Sequence, residues 1–138
     1  MEKLIKGILI DVNDGGKFKE VVLENKLENI YELLKCNSID IVTAKIGNSY
    51  CDIICDDEGL LKNGNILSAM NESKDYLLVG NLLITGSNDV LITGSNDGGE
   101  TISLTDEQIN DVFNNEYTVI GCNEDGDSYA TSVLMIEV

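Results

Sequence analysis

The chain has 138 residues and carries 25 acids against 9 lysines, a formal net charge of −16 with a pI near 4.1. It contains no His, Arg, Pro or Trp, which removes the Ser-His-Asp triad, the Cys-His pair, imidazole metal ligands and the bidentate guanidinium clamp on phosphate. With 43% hydrophobic residues and a mean hydropathy of −0.01 it can fill one core, while its charge opposes binding to nucleic-acid backbones and anionic lipid.

Lys3 to Val12 reads as a strand. Its apolar run is too short, and too interrupted by Lys6 and Gly7, for a signal peptide or a membrane span, so a cytoplasmic protein is expected. Asn13-Asp14-Gly15-Gly16 is a turn, with Phe18 to Leu23 as the antiparallel partner. Asn25 stands three residues before Glu28, a capping-box-like spacing that starts a helix whose apolar stripe is Leu27, Ile30, Tyr31 and Leu34. Ile39 to Ile46 and Tyr50 to Cys55 flank Gly47-Asn48 as a hairpin. Asp56 to Gly59 is a loop, Ile66 to Met70 a short helical turn, and Tyr76 to Thr85 and Val90 to Thr93 are strands. Thr105-Asp106-Glu107-Gln108 starts a second helix, with Ile109, Val112 and Phe113 on its buried side. Tyr117 to Cys122 and Tyr129 to Val138 form a last hairpin around Asn123 to Asp127.

No Pro-, Ser- or Gly-rich linker divides the chain. The expected fold is α+β: a single domain over residues 1–138, mostly antiparallel sheet, with two short helices and a C-terminal hairpin.

The four cysteines, at 36, 51, 55 and 122, show no Cys-x-x-Cys spacing and read as thiols rather than zinc ligands. Cys51 and Cys55 on one strand sit about 13 Å apart, too far for a disulfide. The unit Leu83-Ile84-Thr85-Gly86-Ser87-Asn88-Asp89 recurs eight residues later as Leu91-Ile92-Thr93-Gly94-Ser95-Asn96-Asp97. Its simplest geometry is a hairpin, Leu83-Ile84-Thr85 against Val90 to Thr93. The period of eight and the missing double glycine separate it from the calcium-binding nonapeptide repeat. An EF-hand at Asn123 fails as well, with Ser128 at the turn-glycine position and Leu134 at that of the bidentate Glu. No metal or cofactor site is expected. Nor is catalysis: the acid pairs are explained by turns and a helix N-terminus, and no Walker loop, dinucleotide fingerprint or nucleophile elbow is present.

The charge is unevenly placed. Residues 1–74 hold all nine lysines and thirteen acids, whereas residues 75–138 hold twelve acids and no base. A stretch of one sign suits a basic partner protein, with Asp97, Glu100, Asp106, Glu107 and Asp111 as the candidate contacts. The alternative is a small-molecule site at the two glycine turns, formed by Thr85, Gly86, Ser87, Asn88, Thr93, Gly94, Ser95 and Asn96, whose N–H groups and polar side chains suit a phosphate or ribose.

Four motifs occur in order: Ile5-Lys6-Gly7-Ile8-Leu9-Ile10-Asp11, Asp57-Glu58-Gly59-Leu60-Leu61-Lys62, Gly80-Asn81-Leu82-Leu83-Ile84-Thr85-Gly86 and Ser103-Leu104-Thr105-Asp106-Glu107-Gln108-Ile109. Over about residues 4–113 the chain resembles a family of short proteins of unknown function from bacteriophages and mobile elements of Gram-positive bacteria. The doubled Leu-Ile-Thr-Gly-Ser-Asn-Asp unit and the hairpin at 114–138 depart from that pattern. The resemblance implies a phage-encoded accessory protein in the host cytoplasm and transfers no catalytic residue. Two expectations follow. The first is a non-enzymatic counter-defence protein that blocks a basic surface of a host immune protein. The second is an oligomeric sponge for a cyclic or ADP-ribose-type nucleotide signal at the Gly86 and Gly94 turns.

Overall fold

The computed structural model describes residues 4–24, 26–58, 66–87, 102–122 and 125–137. Three runs of consecutive apolar residues, Ile8-Leu9-Ile10, Ile53-Ile54-Cys55 and Leu82-Leu83-Ile84, are buried throughout. Strand side chains alternate between faces, so such runs require a sheet covered on both sides. The structure supplies that cover. A five-stranded sheet has the order β2-β1-β7-β4-β3, from β1 (Leu4–Asp11), β2 (Lys17–Glu24), β3 (Ile39–Ile46), β4 (Ser49–Asp56) and β7 (Leu82–Gly86). A four-stranded sheet has the order β6-β5-β9-β8, from β5 (Leu67–Asn71), β6 (Leu77–Val79), β8 (Glu116–Cys122) and β9 (Ser128–Ile136).

The larger core lies between the sheets. Ile8, Ile10, Ile53, Leu82 and Ile84 meet Ala69, Leu134 and Ile136 there, joined by Ile109 and Val112 of helix α2 (Asp106–Asn114). The opposite face of the five-stranded sheet presents Leu9, Ile54 and Leu83 to Ile30 and Leu34 of helix α1 (Leu27–Leu34). Buried Asn81 ties these layers, accepting from Val12 N–H at 3.0 Å and donating to Leu33 O at 3.0 Å.

The expected α+β fold of mostly antiparallel sheet is what the structure has, with two helices among the described residues. β1 and β2 pair antiparallel, as do β3 and β4 around Gly47 (φ 61), and β8 and β9. One pair among the described residues, β5 with β9, is parallel. The second helix carries its capping box: Thr105 Oγ1 accepts from Gln108 N–H, and Gln108 Oε1 accepts from Thr105 N–H.

Four local expectations are corrected. Residues 66–70 are not a helical turn, since Leu67–Asn71 is strand β5, hydrogen-bonded to β6 on one side and β9 on the other. Pairing on both flanks outweighs the local pattern of so short a segment. Tyr76 to Thr85 is two strands rather than one. Gly80, at φ 80, breaks it and passes the chain from the four-stranded sheet to the five-stranded one. The hairpin between Leu83-Ile84-Thr85 and Val90 to Thr93 is excluded by β7 itself. Leu83 faces Leu9 and Ile54, and Ile84 faces Ile8 and Ile53, so both of its edges are taken; residues 90–93 lie outside the described residues. Helix α1 is capped at Lys26, which makes no side-chain capping bond; Asn25 lies outside the described residues, and Asn29 Nδ2 instead donates to Glu24 O at 3.1 Å.

The C-terminal strands β8 and β9, which the resemblance sets outside the shared pattern, are continuous with the fold. Val133, Leu134 and Ile136 are buried, and Lys45 and Glu137 exchange two main-chain hydrogen bonds, of 3.0 and 2.8 Å, joining β9 to the edge of β3. No helix of the described residues is long and apolar enough to cross a membrane.

Candidate functional site

The residues singled out in the sequence are dispersed by the fold. Asp106 and Glu107 are exposed in the first turn of α2, where carboxylates complement the helix dipole. Asp111, a candidate contact, is half-buried and turned inward. Its carboxylate accepts from Ser49 Oγ and so fastens α2 to the start of β4, which leaves it spoken for within the fold. Asp97 and Glu100 lie outside the described residues, as do Asn88, Thr93, Gly94, Ser95 and Asn96. Of the first glycine turn, Thr85 and Gly86 are buried inside β7 and only Ser87 is partly exposed. Gly86 bonds through its N–H to Ile102 O at 2.9 Å, and a Cβ there would collide with Ser103 O. Thr85 and Gly86 are therefore corrected from ligand-binding turn residues to interior residues of a central strand.

The fold assembles a different group of acids. Asp40, the second residue of β3, lies directly opposite Cys55 of β4; Asp56 ends β4 and Asp57 follows it. Across from them runs β6, preceded by Asp75 and Tyr76. Together these residues, with Val42 and Leu77 as apolar wall, enclose a cleft of about 320 Å³. No base lines it among the described residues. The carboxylates are held from outside the cleft. Asp75 accepts from Asn71 Nδ2 at 2.6 Å and Ser73 Oγ at 2.8 Å, Asp40 Oδ1 from Ile41 N–H at 2.9 Å, and Asp56 Oδ1 from Glu58 N–H at 2.9 Å.

The electrostatics follow from this packing. Hydrogen bonds from Asn71 and Ser73 hold the Asp75 carboxyl below its ordinary value, so it stays ionised. Burial, then the charges of Cys55 and Asp40, push the Tyr76 phenol up. Burial first, and then Asp40, Asp56 and Asp57, push the Cys55 thiol to about 11. Cys51, buried on the same strand and near Asp111 and Asp52, is pushed to about 12. Thiols so shifted are protonated at neutral pH and poor nucleophiles. What the cleft offers is a rim of carboxyl groups over an apolar wall, an arrangement for holding a cation. Among the described residues no group of three or more Cys, Asp or Glu is disposed to hold a metal ion.

The raised thiols give a signed pH dependence. Above about pH 9 the unfolded thiols lose protons that Cys51 and Cys55 keep in the fold, so stability falls as pH rises toward 11. Urea midpoints measured from pH 8 to 10.5 are expected to fall more steeply for the native chain than for a Cys51→Ala/Cys55→Ala variant. Parallel slopes would assign the alkaline loss to other groups.

The sequence flagged Asp56 and Asp57, as turn acids, but missed Asp40 and Asp75. Asp40 joins the group through strand register and Asp75 through the packing of one sheet against the other, and neither leaves a mark in local spacing. The cleft and the acids of α2 also form separate surfaces. Gln108 Nε2 donates to Tyr50 O at one end of β4, while Asp56 closes the other end, about 20 Å away along an extended strand.

Residues 5–118 match the model of a family described as a domain of unknown function, DUF3846. No curated protein and no solved structure matches the chain.

Proposed function

We propose that this chain, a member of the DUF3846 family, acts without catalysis, by binding a basic partner protein at the acidic cleft. One observation carries this reading: Asp40, Asp56, Asp57 and Asp75 surround one cleft that no base lines among the described residues. A lysine or arginine of the partner would lay its aliphatic stem along Val42 and Leu77, with Tyr76 beside it and its charge among the carboxylates. Long-range attraction by a chain of charge −16 would speed the encounter. In its finer form the chain is phage-encoded and the partner is a host immune protein whose basic surface is blocked. Of the residues named for a nucleotide sponge, Thr85 and Gly86 are interior and so do not line such a site.

Calorimetry of the full chain with hexalysine tests the cleft. An Asp40→Asn/Asp57→Asn/Asp75→Asn variant is expected to weaken binding about tenfold at low salt, and Asp106→Asn/Glu107→Gln less than about twofold. Equal losses in the two variants, or affinity indifferent to salt, would overturn the assignment.

A further inference from the structure

A second surface lies where β2 ends the five-stranded sheet beside α1. Lys6 sends its N–H to Ser103 Oγ and its C=O to Leu104 N–H, both at 2.9 Å and both away from β2. Main-chain groups alternate in direction along a strand, so it is Ile5, Gly7, Leu9 and Asp11 that bond β2, at Leu23, Val21, Lys19 and Lys17. The N–H and C=O groups of Phe18, Glu20 and Val22 consequently point outward from the sheet. Among the described residues no strand pairs with them.

Beside this open edge is a groove of about 450 Å³. Val21 and Leu23 of β2 and Leu33 of α1 form its apolar side, Glu32 stands on the helix wall, and no base lines it among the described residues. Val22, 63% exposed, lies on the opposite face of β2 from Val21 and Leu23, together with Glu20 and Glu24. Those two glutamates meet Lys6 at 3.7 Å and Lys26 at 3.4 Å, exposed pairs that hold each other weakly.

We propose that this groove binds an extended segment of a partner protein, with apolar and basic residues alternating, which adds to β2 as a further strand. The open N–H and C=O groups supply the pairing. Alternation sends the apolar side chains toward Val21, Leu23 and Leu33, and the basic ones toward Glu20 and Glu24. A second copy of this chain suits the edge less well, since it would bring Glu20, Glu24 and Glu32 against their own kind. The surface is separate from the cleft and stands or falls independently of it.

The test is a titration of the isotope-labelled full chain with a capped Val-Lys-Val-Lys-Val-Lys peptide, followed residue by residue by NMR. Saturable shifts confined to residues 18–24 and 29–33 are expected, with new exchange protection at the Glu20 and Val22 amides. A Val-Glu repeat peptide should bind at least about tenfold more weakly. Val22→Pro, which deletes an outward donor, and Leu33→Lys, which charges the apolar side, should each abolish saturation while keeping a cooperative melt; should Val22→Pro unfold the chain, Leu33→Lys decides. Shifts confined to Asp40, Asp57 and Asp75 would overturn this proposal and leave the cleft reading intact. Absence of shifts, or self-association through β2 in the free protein, would overturn it as well.

Discussion

A chain cut after Phe113 does not fold. The cut removes β8 and β9, and with them the buried side chains Val133, Leu134 and Ile136. Reducing one such side chain to Ala typically costs about 2–5 kcal/mol, so losing three is comparable with the whole stability of an ordinary domain, about 5–15 kcal/mol. The loss is topological too. Without β9 the second sheet is reduced to β5 and β6, and a lone two-stranded ribbon is marginal in water. Residues 1–113 are expected to show no cooperative thermal or urea transition by circular dichroism. A fragment that melted cooperatively within a few degrees of the full chain would show the five-stranded sheet to be self-sufficient. The family match ends at residue 118, inside β8, whereas the core needs the strand beyond it.

Gly16→Ala is expected to cost about 3 kcal/mol or more, and Gly15→Ala only about 1 kcal/mol. Both glycines adopt left-handed backbone, φ 67 at Gly15 and φ 72 at Gly16, so each substitution meets the same intrinsic strain. Their surroundings differ. A Cβ at Gly15 has nothing within 4 Å, while one at Gly16 would lie 2.5 Å from Thr131 Oγ1 and 2.6 Å from Ser132 O. Relieving that overlap lifts the β1–β2 turn from β9 and strains the bond from Ser132 N–H to Gly15 O, 3.1 Å long. Urea unfolding of the two single variants measures the difference directly. Equal costs would mean that the turn moves off β9 freely and that its docking contributes nothing.

The parts of the fold that were legible in the sequence are those specified locally. Gly47-Asn48 marked its hairpin, and Thr105 with Gln108 marked a helix start, because turn and cap chemistry reside in a few adjacent residues. The run Tyr76 to Thr85 read as one strand because both of its halves are apolar; only the layered packing distinguishes Leu77–Val79 from Leu82–Gly86, with Gly80 between them. Thr85 and Gly86 looked like an exposed binding turn for a similar reason. Thr-Gly-Ser-Asn is turn-forming by composition, yet β1 and β4 flank β7 and draw those residues inside. The acidic cleft was the least legible feature, since its members come from positions 40, 56, 57 and 75.

The strand order also sets a schedule for synthesis. All five strands of the first sheet are complete at Gly86, but β9, which covers its inner face, ends at Ile136, about fifty residues later. At ordinary translation rates that interval lasts about 3–10 s, during which Ile8, Ile10, Ile53, Leu82 and Ile84 form a nascent apolar surface with only β5 and β6 of its second layer made. The polypeptide emerging in that interval comes from the base-free stretch, which places twelve acids between Asp75 and Val138. Like-charged nascent chains repel one another, so the one-signed half that colours the mature surface also shields an unfinished sheet from its neighbours on the same message.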